Sequence, residues 1–123
     1  MTKVIVVDDD HSTTILIKML LEMEGYTVST YASTDGALTD AADGVAAFII
    51  DCYLGKDARG VDMLRAIRTH SDADIRSTPI IMVSGDQRLA QTVLGEGADR
   101  FLVKPYSPSA LARELHELVG AKA

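Results

Sequence analysis

The residues best suited to chemistry stand directly after short apolar runs. Asp8 and Asp9 follow one such run, Asp51 follows a second, and Ser84 and Lys104 follow two more. A carboxylate can attack a phosphoryl group and form an acyl phosphate, and clustered carboxylates are the oxygen ligands that Mg²⁺ prefers. A hydroxyl and an ammonium group can stabilise the oxygens of a phosphoryl group during transfer. These residue types indicate magnesium-assisted phosphoryl transfer, provided that the fold brings them together.

The apolar runs alternate along the chain with helical patterns, which predicts five strand–helix units. The runs are rich in Val and Ile, which is typical of strands buried on both faces of a sheet. Predicted strands occupy residues 3–7, 27–31, 45–50, 79–83 and 101–103. Predicted helices start at a cap on Ser12 or Thr13, at Ser33, near Val61, near Leu89 and at Ser107. In the first helix the residues that fall on one face are Ile15, Leu16, Met19, Leu20 and Met23.

Alternation of this kind predicts an α/β fold with a parallel sheet covered by helices on both faces. The flavodoxin-like (βα)5 three-layer sandwich, with strand order 2-1-3-4-5, suits five such units. Its ligand site lies where the strand order reverses, at the carboxyl ends of strands 1 and 3. Those ends carry Asp8, Asp9 and Asp51. The predicted topology therefore gathers the acids into one cleft.

Asp8, Asp9 and Asp51 have the chemistry to hold a cation in that cleft. Carboxylates that converge without one repel each other, which raises the pKa of at least one. Mg²⁺ keeps several waters, so one or two carboxylates and a backbone carbonyl suffice as protein ligands. We expect Asp9 and Asp51 as direct ligands, Asp8 as a ligand through water, and the backbone carbonyl of Tyr53 as the neutral ligand.

Length and composition limit the remaining function classes. A chain of 123 residues predicts one domain, residues 1–123, without an output domain. The net charge of −6 and the lack of a Lys/Arg run argue against direct binding to nucleic acid or to an anionic membrane. One cysteine, Cys52, excludes an internal disulfide and fits a reducing compartment. The longest early apolar run is too short for a signal peptide or a membrane span, which predicts a cytoplasmic protein.

Five short motifs, taken in order and spacing, resemble a response-regulator receiver domain of two-component signalling. The resemblance covers essentially the whole chain and rests on Val6-Val7-Asp8-Asp9, Ile49-Ile50-Asp51, Met82-Val83-Ser84-Gly85, Gly97-Ala98-Asp99 and Val103-Lys104-Pro105. By this resemblance Asp51 is the phosphoacceptor, Asp8 and Asp9 are the Mg²⁺ acids, and Lys104 pairs with the phosphoryl group. The Lys104–Pro105 bond is expected to be cis.

The resemblance also implies a mechanism and partners. A sensor histidine kinase or a phosphotransfer protein offers phosphohistidine, and the domain catalyses transfer only to itself, so it is not an enzyme acting on other substrates. Ser84 is then the hydroxyl switch residue and Phe101 the aromatic one. Their movement changes the surface of the fourth helix, fifth strand and fifth helix, which a downstream protein or a missing output domain recognises. Tyr53 and Asp86, two residues after Asp51 and Ser84, are expected to set the rate of phosphoryl hydrolysis.

Two features depart from the usual family pattern. The loop from Cys52 to Gly60 lacks the Pro that family members usually have after the acceptor and is about one residue longer. We expect this loop to be more mobile and kinase recognition to differ. The switch aromatic is Phe101 instead of the commoner Tyr, so it has no hydroxyl, and packing alone must favour its buried form.

Two alternatives remain open. The aspartates that begin at Asp8 also resemble the pair of the haloacid dehalogenase-type phosphohydrolases, in which Asp8 would be the nucleophile. The chain has no room for a cap domain, however, and Asp51 would have no role in that reaction. The second alternative is a docking module that keeps the fold without being phosphorylated. Mapping the phosphorylated residue distinguishes the phosphohydrolase from a receiver domain. The response to Mg²⁺ with beryllofluoride distinguishes the docking module from a receiver domain.

Overall fold

One parallel sheet of five strands forms the centre of the structure, a computed structural model that describes residues 2–54 and 59–122. The strands are β1 (Lys3–Val7), β2 (Thr27–Tyr31), β3 (Ala47–Asp51), β4 (Ile80–Ser84) and β5 (Arg100–Val103). Their order in the sheet is β2-β1-β3-β4-β5, and every neighbouring pair is parallel. The predicted strand order is confirmed. β3 and β4 begin slightly later than predicted, and their last residues are Asp51 and Ser84.

The helices within the described residues are α1 (His11–Met23), α2 (Thr34–Ala41), α3 (Gly60–Arg68), α4 (Ala73–Arg76), α5 (Ala90–Gly95) and α6 (Pro108–Lys122). A 3₁₀ turn, Gln87–Leu89, precedes α5. The short α4 was not predicted; Asp72 caps it and Ile75 is its buried residue. The fourth and fifth predicted helices therefore correspond to α5 and α6. No helix in the described ranges is long and apolar enough to cross a membrane.

Alternating side chains of the strands form two separate core layers. On β1, Ile5 and Val7 point to the first layer, while Val4 and Val6 point to the second. The first layer is closed by α2, α3 and α5, and the second by α1 and α6. β1, β3 and β4 are buried on both faces, as parallel strands between two helical layers must be. Burial on both sides fixes the strands, and so the positions of the residues at their ends.

The start of α1 differs from the prediction. The cap is Asp10, not Ser12 or Thr13, because the Asp10 carboxylate accepts hydrogen bonds from the backbone N–H groups of both residues. The Thr13 hydroxyl also donates to this carboxylate at 2.8 Å. These bonds lower the pKa of Asp10. Asp10 is thus engaged in starting the helix, and Asp8 and Asp9 are the acids of this run that remain for the cleft.

The apolar face that the sequence pattern picks out on α1 is not the face that packs against the sheet. The buried residues of α1 are Thr14, Ile17 and Leu21. Of the five residues on the predicted apolar face, Leu20 is half-buried, and the exposed fractions of the others are 47% for Ile15, 52% for Leu16, 57% for Met19 and 82% for Met23. The structure therefore presents an apolar helix surface to solvent.

Candidate functional site

The carboxyl ends of four strands deliver side chains to one edge of the sheet. Asp8 directly follows β1, Asp51 ends β3, Ser84 ends β4 and Lys104 directly follows β5. Backbone bonds continue the strand pairing one residue further: the Asp8 N–H donates to the Tyr31 carbonyl at 3.0 Å, and the Lys104 N–H donates to the Ser84 carbonyl at 2.9 Å. The four residues come together because parallel strands in this order end at the same edge.

The ammonium group of Lys104 lies between two carboxylates. Its Nζ is 2.7 Å from Asp51 Oδ2 and 3.0 Å from Asp8 Oδ2. The exposed fraction is 10% for the Asp51 side chain, 2% for Asp8 and 28% for Lys104. Because these side chains are largely removed from water, the attraction between their charges is stronger than in an exposed ion pair. One lysine cannot neutralise two carboxylates, so the cluster keeps a net negative charge.

Burial and pairing set the protonation of these groups. Burial raises the pKa of Asp8, and the nearby charge of Asp51 adds to the rise. The Asp10 backbone N–H, which donates to Asp8 Oδ1 at 2.9 Å, and the Lys104 ammonium oppose it. Burial alone would lower the pKa of Lys104, but its bonds to Asp51 and Asp8 outweigh this and raise the value to about 12. Lys104 is therefore a permanent cation near neutral pH.

Asp8, Asp9 and Asp51 offer a set of oxygen ligands for a metal ion. One carboxylate oxygen of each lies within 4.8 Å of the others. Asp9 is exposed, whereas Asp8 and Asp51 are buried, so the cluster opens to solvent on one side. Hard carboxylate oxygens with room for waters fit Mg²⁺ better than a metal that prefers nitrogen or sulfur ligands. The donor set thus fits the ion expected from the sequence.

The backbone after Asp51 is folded back on itself. The Tyr53 N–H donates to Asp51 Oδ1 at 3.1 Å, and Tyr53 forms an antiparallel bridge with Arg59. The Gly60 N–H donates to the Cys52 carbonyl at 2.9 Å. In an antiparallel pair, a hydrogen bond between the residues that flank two facing residues means that the facing residues do not bond to each other. The facing residues here are Tyr53 and Arg59, so the bridge does not use the Tyr53 carbonyl. The expected carbonyl ligand fits this geometry; residues 55–58, where greater mobility was expected, lie outside the described residues.

Ser84 and Asp86 form two consecutive side-chain-capped turns. Ser84 is 1% exposed, and its Oγ accepts a hydrogen bond from the Asp86 N–H at 3.0 Å. The Asp86 carboxylate accepts from Arg88 Nε at 2.9 Å, from Nη2 at 3.1 Å and from the Arg88 backbone N–H at 3.0 Å. Arg88 lowers the pKa of Asp86. Asp86, expected to influence hydrolysis, is thus held by an arginine that the sequence pattern did not single out.

The residues on and after β5 surround the lysine. Phe101 pairs with Met82 across the sheet and is half-buried against the first core layer. The Lys104–Pro105 bond is cis, as expected. The Tyr106 hydroxyl is buried and has no hydrogen-bond partner among the described residues, and burial raises the pKa of Tyr106 to about 12.

Cys52 adjoins the acceptor but is a poor candidate for chemistry. It is fully buried, and burial together with the charge of Asp51 raises the pKa of its thiol to about 11. Because the thiolate is the reactive form of cysteine, this side chain serves as part of the first core layer.

An apolar groove borders the site on the α1 side. It has a volume of about 360 Å³ and runs between α1 and the segment that joins β5 to α6. Leu16 and Leu20 line one wall, and Lys104, Pro105 and Tyr106 line the other. The groove is thus continuous with the exposed face of α1 and ends at the lysine of the cleft.

Comparison with known proteins agrees with this geometry. A family model described as the response regulator receiver domain matches residues 4–116. The transcriptional regulatory protein CpxR of Escherichia coli (strain K12) is 34% identical over 122 residues, a match that covers 97% of this chain and 50% of that protein. The transcriptional regulatory protein ResD of Bacillus subtilis (strain 168) is 29% identical, with 96% and 48% covered. The chain spans about half the length of the curated relatives it matches.

Solved structures give the same result. The chemotaxis response regulator CheY4 of Vibrio cholerae superimposes with a TM-score of 0.85 at 30% identity, covering 96% of this chain and 98% of that one. The receiver domain of the TMAO respiratory system response regulator TorR gives 0.88 at 27% identity, with 98% of each chain covered. With the family model matched over most of its length and the acids, hydroxyl and lysine at the expected strand ends, the chain belongs to the response-regulator receiver domains of two-component signalling.

Proposed function

We propose that this domain is a phosphorelay switch in which Asp51 accepts a phosphoryl group from the phosphohistidine of a sensor histidine kinase or phosphotransfer protein. The observation that carries the proposal is the position of Lys104, whose ammonium group contacts Asp51 and Asp8 at the open edge of the sheet. A third acid, Asp9, offers a carboxylate oxygen within 4.8 Å of those of the other two, so the cleft carries more negative charge than Lys104 neutralises. The arrangement suits a dianionic phosphoryl group that Lys104 neutralises together with a cation held by the three acids.

The transfer is a displacement at phosphorus. A carboxylate oxygen of Asp51 attacks, an oxygen–phosphorus bond forms, and the nitrogen–phosphorus bond of phosphohistidine breaks. The imidazole nitrogen of the donor leaves with the bonding electron pair and takes a proton from solvent. The carboxylate is held in one orientation because Tyr53 N–H bonds to Oδ1 and Lys104 to Oδ2. Holding the nucleophile in this way removes part of the entropy cost of the reaction.

Asp8, Asp9, Asp51 and the Tyr53 carbonyl would hold Mg²⁺. Bound there, the ion supplies positive charge against the phosphoryl oxygens, which is the main requirement of phosphoryl transfer. Such a charge stabilises the ionised form of Asp8, whose pKa is raised by burial. Lys104 remains charged and pairs with the phosphoryl group from the carboxyl end of β5, at the same edge of the sheet.

The signal passes through Ser84 and Phe101. Ser84 Oγ accepts a bond from the Asp86 N–H, and its hydroxyl hydrogen is available to a phosphoryl oxygen. Movement of Ser84 toward that oxygen leaves space behind it into which Phe101 turns. The surface of α5, β5 and α6 then differs between the two states, and phosphorylation shifts the population because only one state satisfies the phosphoryl group.

The donor docks on the exposed face of α1 and the adjoining groove. Phosphohistidine must come within bonding distance of Asp51, so its carrier must cover a surface that continues from the cleft. The groove meets this requirement because Leu16 lies on one wall and Lys104 on the other. An exposed apolar helix face of this kind suits an amphipathic helix of the donor.

The remaining assignments follow from the same proposal. The domain acts only on itself, not on a separate substrate, and passes its state to a downstream protein or output domain. It works in the cytoplasm and does not itself contact nucleic acid or a membrane. Nothing in the geometry specifically favours the phosphohydrolase or the unphosphorylated docking module.

Incubation with acetyl phosphate and Mg²⁺ tests the proposal. Intact-mass measurement should show one added phosphoryl group, borohydride reduction and peptide mapping should place it on Asp51, and Asp51→Asn should not be modified. Modification of Asp8 would support the phosphohydrolase. No modification, together with no response to Mg²⁺ and beryllofluoride, would support the docking module and refute the switch.

A further inference from the structure

Gly60, the first residue of α3, lies unusually close to the backbone of the acceptor. A Cβ at this position would be 1.8 Å from the carbonyl oxygen of Asp51, 2.8 Å from its carbonyl carbon and 2.9 Å from Ile50 Cγ2. Its φ is not among the positive values found at other glycines. Contact with the backbone of Asp51, not an unusual conformation, is therefore what requires glycine here.

Gly60 also forms a hydrogen bond with Cys52, the residue that follows the acceptor. Its N–H donates to the Cys52 carbonyl at 2.9 Å, while the Cys52 N–H donates to the Val83 carbonyl at 2.9 Å on the other side. Gly60 and β4 thus enclose the segment from Asp51 to Tyr53 from opposite sides. This segment supplies the acceptor carboxylate at one end and the expected carbonyl ligand at the other.

We infer that Gly60 is a positioning residue that sets the acceptor carboxylate of Asp51 and the carbonyl of Tyr53 at the separation one metal ion needs. The inference rests on the proposed function, because it assigns Gly60 a part in the Mg²⁺ site. A methyl group at Gly60 must push the two backbones apart by more than 1 Å to reach ordinary contact. Metal–ligand distances tolerate only about 0.2 Å, so the separation cannot survive this displacement.

The test compares Gly60→Ala with Gly85→Ala. Gly85 directly follows Ser84 at the same edge of the sheet, yet a Cβ there would meet nothing within 4 Å. Gly120→Ala, in α6 and equally free of neighbours, controls for the effect of alanine on a helix. We expect Mg²⁺ to bind Gly60→Ala at least about tenfold more weakly than wild type, the range found when groups supporting a metal ligand are removed, and to bind both controls within about twofold.

Amide NMR of the metal-free proteins, followed by Mg²⁺ titration, measures this. Displaced amide signals of residues 51–53 in folded Gly60→Ala, with weakened binding, support the inference. Equal Mg²⁺ dissociation constants for Gly60→Ala and Gly85→Ala would refute the inference about Gly60 but not the proposed function. Wild-type protein that binds no Mg²⁺ refutes the proposed function, and this role with it.

A measurement on the wild-type protein covers the case in which Gly60→Ala does not fold. If Gly60 positions the ligands, metal binding must in turn stabilise the Gly60–Cys52 hydrogen bond, because coupling is reciprocal. Hydrogen exchange at the Gly60 amide should then slow about tenfold in saturating Mg²⁺, more than at the remote Gly97 amide, which donates to Leu94 at 3.2 Å. Equal change at both amides would refute the inference.

Discussion

Replacing Lys104 with methionine tests how much its positive charge stabilises the two buried carboxylates of the cleft. The substitution keeps the apolar stem of the side chain but removes the ammonium group, so Asp8 and Asp51 lose their shared cation. Removing one partner of a buried pair costs about 3–5 kcal/mol. Because the Lys104 side chain is 28% exposed and water can partly replace it, we expect a loss of about 2 kcal/mol in the free energy of unfolding at pH 7 without Mg²⁺.

The dependence on pH and metal follows from the same charges. Lys104 has a raised pKa, about 12, so its contribution is fully present below the usual lysine range and disappears only as the pH rises through that value. The pKa of Asp8 is also raised, which means that its ionised form costs stability above that pKa. Without Lys104 this cost grows. Lys104→Met should therefore regain stability relative to wild type on acidification, and also in saturating Mg²⁺.

Urea unfolding followed by far-UV circular dichroism measures the difference. With a slope of about 1–2 kcal/mol per M, the unfolding midpoint should fall by roughly 1–2 M. Lys18→Met is the control. Lys18 is half-exposed, and within the described residues its ammonium group lies 3.6 Å from one carboxylate, Glu22, and donates to the Val28 carbonyl at 3.1 Å. Its replacement should cost about 1 kcal/mol or less. A Lys104→Met protein as stable as the Lys18→Met control at pH 7 would show that Lys104 does not neutralise the cleft.

Three further predictions concern recognition, hydrolysis and the thiol. Leu16→Asp or Met19→Asp should slow transfer from the phosphohistidine donor at least about tenfold, or 1.4 kcal/mol, while acetyl phosphate still modifies Asp51 at the wild-type rate; an equal loss with both donors would contradict docking on α1. Tyr53→Ala, which removes a half-exposed ring beside the acceptor, should shorten the phosphoryl half-life several-fold, and an unchanged half-life in both Tyr53→Ala and Asp86→Ala would remove their assigned role. The Cys52 thiol, with a pKa of about 11, should react with a disulfide reagent far more slowly in native protein than in urea, and comparable rates would show that it is accessible.

The sheet and its acidic edge were predictable because both depend on short-range patterns. A β-branched run that ends in an acid places that acid at the end of a buried strand, and parallel strands end on one edge. Asp8 and Asp51 therefore meet without any knowledge of side-chain packing. The same pattern placed Ser84 and Lys104, since each follows an apolar run on the next strands.

The surface of α1 was not predictable from periodicity. Seven of its thirteen residues are apolar and extend around most of the helix, so the 3.6-residue period does not select one stripe. Packing against the second core layer selects Ile17 and Leu21 and leaves Leu16 and Met19 exposed. The contact of Gly60 with Asp51 was likewise hidden, because it depends on how a loop returns across nine positions of sequence, and no local pattern encodes that distance.

The division of α1 into a buried and an exposed apolar stripe has a consequence for how such domains diversify. Ile17 and Leu21 hold the helix on the sheet, while Leu16 and Met19 on the other side contribute little to that contact. Substitutions on the outer stripe are thus expected to change stability by less than about 0.5 kcal/mol, as exposed positions usually do. Substitutions at Leu16 and Met19 in a duplicated copy of this domain can therefore create binding to a new signalling partner and remove binding to the old one, without changes to the residues of the core.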